Sequence, residues 1–270
     1  MNSRTPFRYY GGKGKIAPWI VSYFPYHKVY VEPFCGAASV FFNKERSYAE
    51  VLNDLDDDIV NVFRVLRNSE TCESLCEQIE LTPFALTEYK MAFDRPVPEH
   101  PDDIERARRF LVRCAMGFFA DSANTNNSFP GFRADVWRKS TIPAHDWSAV
   151  PTKLQWFCER LKGVVINKMD AFDAIRKYDD TNTLFYLDPP YIKETRTQAS
   201  HHCYTHEMSN ADHCRLLDLI LTLNGMVVIS GYDHPIYKSL ENAGWNKYTR
   251  MYYGKKECIW CSPGCAGGLL

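Results

Sequence analysis

No uninterrupted apolar run long enough to cross a lipid bilayer occurs in the 270-residue sequence, and its mean hydropathy is -0.36. A membrane-spanning helix needs about 20 apolar residues, so an integral membrane protein is excluded. Residues 1–4 are not followed by the apolar segment of a secretory signal. The ten cysteines are scattered rather than arranged as a disulfide framework. We therefore expect a protein with reduced thiols that works in the cytoplasm.

An excess of charge of one sign is also missing, because the formal net charge is -1. The charges are nevertheless unevenly placed. Residues 106–139 hold seven bases and two acids, whereas residues 58–105 hold four bases and eleven acids. Further bases cluster in residues 1–15 and 247–256. Local basic patches of this kind are typical of nucleic-acid binding, although a solvated helix face gives the same pattern.

Two common nucleotide-binding fingerprints are absent. No G-x-G-x-x-G segment occurs, so a dinucleotide-binding turn is not indicated. Residues 9–15, Tyr-Tyr-Gly-Gly-Lys-Gly-Lys, are similar to a phosphate loop, but Ile16 stands where that loop requires Ser or Thr. The zinc-deaminase signature is excluded because His206 and Glu207 are adjacent.

Short apolar runs alternate with helical spacing at both ends of the chain. Strands are predicted over residues 28–34, 48–52, 163–166, 183–187, 226–230 and, as a pair, 248–260. Helices are predicted over residues 36–42, 59–66, 104–118, 151–162, 171–178, 210–223 and 235–242, with a loop or hairpin over 120–135. This order predicts an α/β fold, an open sheet that is interrupted by an insertion. We expect a discontinuous domain of residues 1–57 and 163–270 and a mainly helical insertion of residues 58–162.

Asp188-Pro189-Pro190-Tyr191 carries the sharpest chemical signal. It follows the apolar strand 183–187 directly, at the carboxyl end where open α/β sheets bind ligands. The prolines have no N–H group and leave carbonyls free to accept, next to a carboxylate and an aromatic ring. Such a set suits a planar amino group, whose two N–H bonds are accepted while its ring stacks on Tyr191. A rigid strand-exit turn with an exposed tyrosine is the alternative.

Residues 31–39, Val-Glu-Pro-Phe-Cys-Gly-Ala-Ala-Ser, read as a strand, a turn with glycine and the start of a helix. Turns of this kind bring backbone close to a nucleotide-like ligand. Asp54 lies eighteen residues beyond Gly36 and closes the next strand, where an acid commonly binds ribose hydroxyls. Helix capping is an equal alternative for Asp54, since three further aspartates follow it.

These motifs, in this order, resemble the Dam-like family of DNA adenine-N6 methyltransferases with the α order of motifs. The likeness rests on Tyr-Tyr-Gly-Gly-Lys, Glu-Pro-Phe-Cys-Gly, Asn-Asp and Asp-Pro-Pro-Tyr, and it covers residues 5–67 and 163–261. Residues 68–162 occupy the family's target-recognition position without clear likeness. The resemblance implies a class I methyltransferase (Rossmann-like) fold, S-adenosyl-L-methionine as methyl donor and S-adenosyl-L-homocysteine as product.

The resemblance also implies roles for individual residues. It assigns cofactor contacts to Tyr9, Gly11, Gly12, Lys13, Pro33, Phe34, Gly36, Asp54, Asp170 and Asp188, although the family usually has Trp in place of Tyr9. It assigns catalysis to Asp188, Pro189, Pro190 and Tyr191, with Ser230-Gly231-Tyr232 as the strand behind them. Because an adenine inside a duplex is out of reach, the base must flip out and stack on Tyr191. Asp188 and the Pro189 carbonyl would then accept the two N6 hydrogens, with no metal required.

DNA recognition is expected in the insertion, from Arg106, Arg109, Asn124, Asn126 and Arg133. A groove-entering loop with arginine beside a basic helix is typical of such contacts. The segment 124–136 lacks the side chains that Dam proteins use to read GATC, so that site is not assumed. The expected partner is double-stranded DNA, bound by a monomer of bacterial, prophage or phage origin, and a cognate restriction nuclease is a further possible partner.

Other chemistries remain alternatives. Cys258, Cys261 and Cys265 have a spacing that suggests zinc, but a second matching pair is missing and the segment alternates like a strand. His201, His202, Cys203 and His206 are either metal ligands or a polar loop that closes over DNA or cofactor. At the level of function, the alternatives are a catalytically silent DNA-binding protein on the same scaffold and an amino-methyltransferase for RNA or protein.

Overall fold

The computed structural model describes residues 5–93, 103–118, 131–137, 141–196, 204–252 and 254–265. The chain divides into two compact units. One unit, the sheet unit, contains residues 13–55 and the chain from residue 163 onwards; the other, the helical unit, contains residues 5–12 and 56–162. Within the described ranges, no helix is long and apolar enough to cross a membrane.

A seven-stranded sheet forms the centre of the sheet unit, in the order β3-β2-β1-β4-β5-β7-β6. The strands are β1 Val29–Glu32, β2 Ala49–Asn53, β3 Val165–Asn167, β4 Thr183–Leu187, β5 Met226–Tyr232, β6 Asn246–Tyr252 and β7 Lys255–Cys261. The first five run parallel, whereas β7 is antiparallel to both of its neighbours. All five residues of β4 are buried, as expected for a central parallel strand. This sheet confirms the predicted α/β class and the class I methyltransferase fold.

The helices of the sheet unit are α1 Ala17–Val21, α8 Ala171–Lys177, α9 Asn210–Ile220 and α10 Lys238–Asn242. Helix α9 begins with a capping box in which Ser209 and Asp212 each bond the other's backbone N–H, which satisfies two otherwise orphan donors. The core contains Phe185 of β4 and Trp260 of β7, and Trp260 stacks on Tyr237 with ring centroids 4.2 Å apart. Because buried side chains pack closely, this core holds the carboxyl ends of the strands in place.

The helical unit contains α2 Asp57–Arg67, α3 Ser69–Glu80, α4 Leu86–Met91, α5 Asp103–Met116, α6 Pro143–Ser148 and α7 Val150–Leu161. Asp56 and Asn68 cap α2 and α3 through side-chain oxygens that accept backbone N–H groups. Phe7 packs edge-on against Phe110 of α5, with ring centroids 5.1 Å apart. The helices predicted near 59–66, 104–118 and 151–162 are therefore present.

The predicted helix over residues 36–42 is wrong. Gly36 and Ala38 have φ angles of 47° and 49°, which lie in the left-handed region and interrupt a right-handed helix. A tight turn replaces it, followed by a short 3-10 helix at Phe41–Asn43. The segment 235–242 is likewise divided into a 3-10 turn, Pro235–Tyr237, and α10. Of the predicted loop, residues 120–130 lie outside the described residues, while Phe132 forms an antiparallel bridge with Gly117.

Candidate active site

The carboxyl edge of the parallel strands brings three polar side chains together. Strand β4 ends at Leu187, so Asp188 is the first residue beyond it, and the adjacent strands β1 and β5 end at Glu32 and Tyr232. Open α/β sheets bind their ligands at this edge. The sequence-predicted catalytic segment, residues 188–191, therefore lies at the edge where a substrate would enter.

Lys13 is buried and pairs with Asp188, its ammonium Nζ lying 2.9 Å from Oδ1 of the carboxylate. Burial opposes the charge on Lys13, but attraction to Asp188 and Glu257 outweighs it, and the pKa of Lys13 is raised. Burial raises the pKa of the Asp188 carboxyl despite the neighbouring ammonium, and the Asp188 side chain retains 20% exposure. The structure thus joins a predicted cofactor residue to the predicted catalytic acid.

Tyr191 is buried, with only 6% exposure, so the alternative of an exposed turn tyrosine is wrong. Its hydroxyl donates a hydrogen bond to Oε1 of Glu257 on β7. Its ring packs edge-on against Tyr232, with centroids 4.7 Å apart, and the Lys13 ammonium lies 4.4 Å from the ring centroid. Stacking of a base on Tyr191 stays a prediction, and it requires the ring to be uncovered.

Two side chains engage the carbonyls of the catalytic loop. Arg196 donates two N–H groups to the Tyr191 carbonyl, the Nε bond measuring 2.6 Å, and forms an ion pair with Glu207 at 2.9 Å. His213 of α9 lies with Nε2 3.0 Å from the Pro190 carbonyl. Burial lowers the pKa of His213, so a neutral ring with its proton on Nε2 donates this bond.

The Pro189 carbonyl differs from its neighbours. No hydrogen bond to it is formed by any residue in the described part of the chain. Described side chains engage the carbonyls of Pro190 and Tyr191 and not that of Pro189, so the Pro189 carbonyl is a candidate acceptor for an amino hydrogen of a ligand. The two prolines contribute no N–H group that would compete for it.

The turn after β1 is held by side chains from the end of β2. The Gly36 N–H donates to Oδ2 of Asp54 at 2.8 Å, and the left-handed φ of Gly36 suits glycine. Asn53 donates through Nδ2 to the carbonyls of Pro33 and Met169, at 2.9 and 3.0 Å. Asp54 therefore orders the turn that carries Pro33, Phe34 and Gly36, while the cap of α2 is Asp56.

Glu32, the last residue of β1, stabilises the chain that follows the same turn. It is 2% exposed, accepts the Tyr30 hydroxyl at 2.5 Å and accepts the backbone N–H of Phe41 at 2.8 Å. Burial raises the pKa of its carboxyl to about 8, although both hydrogen bonds oppose the shift. The buried acid thus serves as an anchor for the chain between β1 and the 3-10 helix.

Asp170 borders a cleft of about 560 Å³ lined by Asp170, Phe172, Arg176, Arg215, Asp218 and Leu219. One oxygen of Asp170 caps α8 by accepting the Phe172 N–H at 2.8 Å. The guanidinium of Arg215 lies 5.4 Å from the Phe172 ring centroid. An acid beside an aromatic ring and a leucine is the kind of lining that suits a heteroaromatic base with an amino group.

Tyr9, Gly11 and Gly12 belong to the helical unit, unlike Lys13. They form a turn closed by a bond from the Gly12 N–H to the Tyr9 carbonyl at 3.2 Å, and Gly11 has a φ of 73° that favours glycine. Tyr9 also packs edge-on against Phe7, with ring centroids 6.2 Å apart. Their predicted contact with a cofactor stays a prediction.

The arginines of α5 are paired with acids inside the helical unit. Arg106 lies 2.7 Å from Asp57 and 2.6 Å from Asp58, and Arg109 lies 2.6 Å from Glu105. The count of bases in residues 106–139 therefore overstated the positive charge that α5 offers to a polyanion, because these acids lie outside the counted segment. DNA contact by Arg106 and Arg109 stays a prediction.

Arg133 lies at the end of the predicted loop, within the described residues 131–137. Its backbone N–H bonds the Met116 carbonyl at 2.8 Å, and its guanidinium donates to the Ala115 carbonyl at 3.1 Å. Nearby in sequence, Trp137 is 90% exposed. Asn124 and Asn126 lie outside the described residues, so their role is an expectation from sequence.

The cysteine segment is packed into the sheet unit. Cys258, Cys261 and Cys265 are all buried, and the Cys265 thiol lies 3.5 Å from the Val227 carbonyl. Across the residues that the structure describes, no group of three His, Cys, Asp or Glu side chains is arranged to hold a metal ion. His201, His202 and Cys203 are not among those residues.

Comparison with known proteins decides the family. Residues 9–253 match the model of the D12 class N6 adenine-specific DNA methyltransferases. The chain belongs to this family. It is 24% identical to a DNA adenine methylase of Haemophilus influenzae, over 93% of this chain and 86% of that protein. It is 33% identical to a DNA N-6-adenine-methyltransferase of Escherichia phage P1, over 80% of this chain and 28% of that protein.

The D12 class enzyme described here is thus an adenine-specific DNA methyltransferase, as the Dam-like resemblance implied. A modification methylase of Streptococcus sanguinis, StsI, is also similar, at 24% identity over 82% of this chain and 34% of that protein. The substrate is DNA, and the chemistry is transfer of a methyl group to adenine N6. The alternatives of a catalytically silent protein and of an RNA or protein methyltransferase give way to this assignment.

Three residues at the site were missed by sequence reasoning: Glu257, Arg196 and His213. Glu257 gave the clearest signal, because it is an acid inside a strand whose following residues, Cys258 to Cys261, are all buried. A buried acid requires a partner, which here is Tyr191. Arg196 and His213 lie in polar segments after the catalytic motif, and their spacing alone does not indicate which carbonyls they bind.

Proposed function

We propose that this D12 class methyltransferase uses S-adenosyl-L-methionine to methylate N6 of an adenine flipped out of double-stranded DNA, with S-adenosyl-L-homocysteine as the other product. Asp188 and the Pro189 carbonyl accept the two N6 hydrogens. The observation that carries this proposal is the selective engagement of the catalytic loop. Arg196 and His213 engage the carbonyls of Tyr191 and Pro190, and neither engages that of Pro189, the residue that follows Asp188.

The sheet unit has features that suit the cofactor. The tight turn at Gly36 exposes backbone close to the strand edge, and Asp54 beside it has the acceptor oxygens that ribose hydroxyls require. The cleft at Asp170 and Phe172 suits the adenine ring, and we assign the paired Lys13 and Asp188 to the methionine end of the cofactor. When bound, S-adenosylmethionine supplies a methyl group that its sulfonium charge activates for transfer.

The protein's own contribution is to hold and orient the adenine amine. The N6 lone pair is delocalised into the ring and is a weak nucleophile. Two acceptors that bind both N6 hydrogens draw the amine towards tetrahedral geometry and direct its lone pair away from the ring. The nitrogen gains a bond to carbon and must lose one proton, for which Asp188 is the adjacent base. Positioning and electrostatics, rather than covalent catalysis, therefore supply the acceleration.

Residues 58–162 would serve as the target-recognition domain. Arg133 lies in the predicted groove-entering loop, residues 120–135, which also contains Asn124 and Asn126. Arg106 and Arg109 would play a lesser part, because their charges are already paired with acids. The exposed Trp137, four residues after Arg133, adds an aromatic face suited to contact with nucleic acid.

The cellular setting follows from the relatives, which come from bacteria and from a phage. In such cells the DNA lies in the cytoplasm, where a monomeric enzyme would act on it. One similar protein is named a modification methylase, which supports pairing with a cognate restriction nuclease. Single-molecule sequencing of DNA from a strain that expresses the enzyme would read the methylated site directly.

Calorimetric titration with S-adenosylmethionine tests the cofactor assignment. Asp54→Ala should weaken binding about tenfold or more, because the ribose acceptor and the anchor of the Gly36 turn are both lost. Asp58→Ala is a matched control in the helical unit, where that aspartate pairs with Arg106. Unchanged affinity in Asp54→Ala, with the fold retained by circular dichroism, would show that the pocket is misplaced.

A further inference from the structure

The active site contains a second buried carboxylate that the adenine chemistry does not use directly. Glu257 of β7 has a side chain 4% exposed, and its Oε1 lies 3.9 Å from the Lys13 ammonium. The same oxygen accepts the Tyr191 hydroxyl. Lys13 is therefore shared between Asp188 at 2.9 Å and Glu257 at 3.9 Å.

Burying any one of these three charges alone would be costly, because each requires a partner in a low-dielectric environment. One ammonium between two carboxylates leaves a net charge of about -1 on the cluster. Two carboxylates that share a site without a cation do not both ionise, since repulsion raises one pKa. Burial raises the pKa of both Asp188 and Glu257, and attraction to Lys13 opposes that rise and favours their ionised forms. Because Lys13 is shared with Glu257, its charge offsets only part of the negative charge of Asp188.

Methyl transfer moves positive charge onto the adenine amine. A buried cluster with net negative charge stabilises that development, whereas a neutral Lys13–Asp188 pair does so less. We propose that Glu257 is a positioning residue of the methyltransferase, which acts through Lys13 and Tyr191 to preserve the negative charge and acceptor strength of Asp188. This inference rests on the proposed role of Asp188.

The first test measures single-turnover methyl transfer in Glu257→Gln, Glu257→Asp and the matched control Glu241→Gln. Glu241 is a carboxylate paired with Lys238 at 2.7 Å. We expect Glu257→Gln to lower the rate on the order of 10- to 100-fold, with dissociation constants for cofactor and DNA changed by less than about threefold. Glu257→Asp keeps the charge and should be faster than Glu257→Gln, and Glu241→Gln should match wild type. A Glu257→Gln rate equal to that of Glu241→Gln would overturn the inference.

The second test separates charge from folding through the pH dependence of the same rate. In Lys13→Met, Asp188 and Glu257 share the site without a cation, so the acidic limb of the profile should move to higher pH. Adding Glu257→Gln removes one of the two acids and should move that limb back towards lower pH. Identical limbs in the single and double variants would contradict the shared-lysine arrangement, whatever the absolute rates.

Among the described residues, the other titratable groups that interact with this cluster are Glu32 on β1, Tyr186 on β4, Tyr232 on β5, Tyr237, and Lys255 and Cys258 on β7. They are common to all the variants, so differences between the pH profiles report on the two substituted charges, Lys13 and Glu257. Asp188→Asn separates the proposed role of Asp188 from the inference about Glu257. Retained activity in Asp188→Asn would refute the proposed catalytic role itself, whereas loss there with an unchanged Glu257→Gln would refute the inference about Glu257 alone.

Discussion

Replacement of Arg196 by Met should both destabilise the protein and slow catalysis. Arg196 has a side chain 2% exposed, which donates to the Tyr191 carbonyl and pairs with Glu207. Breaking a buried ion pair by removing one partner costs about 3–5 kcal/mol, because the other charge is left without compensation. Because Glu207 is 19% exposed and regains some hydration, we expect the free energy of unfolding to fall by about 3 kcal/mol.

The double variant Arg196→Met/Glu207→Gln resolves that magnitude. It removes the carboxylate that Arg196→Met leaves without a partner. The double variant should therefore have a free energy of unfolding about 1–2 kcal/mol higher than that of Arg196→Met. Lys238→Met provides a control, because its pair with Glu241 involves a lysine that is 66% exposed. An exposed pair of this kind contributes about 0–1 kcal/mol.

Urea unfolding followed by circular dichroism measures the free energies of unfolding. The rate of single-turnover methylation reports on the loop of residues 188–191. Because Arg196 holds the carbonyl of Tyr191, the rate should fall at least about tenfold for folded Arg196→Met, while Lys238→Met retains it. Equal unfolding free energies for Arg196→Met and Lys238→Met, together with an unchanged rate, would refute the idea that Arg196 holds the loop.

Four further substitutions test other features of the protein. Gly231→Ala should cost about 1–3 kcal/mol in thermal or urea unfolding, because its added Cβ would lie 2.8 Å from the Tyr237 hydroxyl, and unchanged stability would contradict that packing. Burial raises the pKa of Glu32 from 4.5 to about 8, so the folded state retains a proton that the unfolded state releases and stability should fall as pH rises across this interval. Urea unfolding at pH 5 and pH 8 should show that decline in the wild type but not in Glu32→Gln. Equal declines in the two proteins would exclude the raised pKa of Glu32. Neutralising Arg133 should relax the methylated-site profile or cripple methylation, whereas Arg106→Gln should mainly reduce affinity and its salt slope in a binding assay; no change with either would show a passive loop.

The sheet and the position of Asp188 at its carboxyl edge could be predicted because local sequence determines them. The short apolar run 183–187 ends at Asp188-Pro189-Pro190, which favours a buried strand, and the residue after a central parallel strand lies at the ligand-binding edge. Asp188 was therefore located without any knowledge of its neighbours. The helix predicted after Gly36 failed because the left-handed conformation of Ala38 is imposed by the surrounding turn.

The parts that were not predicted depend on contacts between distant segments. Glu257 reaches Tyr191 across 66 positions of sequence, and Arg106 reaches Asp57 across 49. Counting charges along the chain cannot reveal that Arg106 already has partners, nor that the Pro190 carbonyl is engaged by His213. Pairing of this kind is decided by tertiary packing, so it becomes visible only in the folded structure.

Transfer of a labelled methyl group to adenine by Asp188→Asn tests the central claim most directly. The substitution preserves the shape of the side chain but replaces one acceptor oxygen with an amino donor that opposes the adenine N6 hydrogens. Single-turnover assay on duplex DNA, with N6-methyladenine identified by mass spectrometry, should show a loss on the order of a thousandfold. Calorimetric affinity for S-adenosylmethionine should stay within about threefold of wild type. A transfer rate within a few fold of wild type would contradict the assignment of Asp188 as the acceptor of the adenine amine.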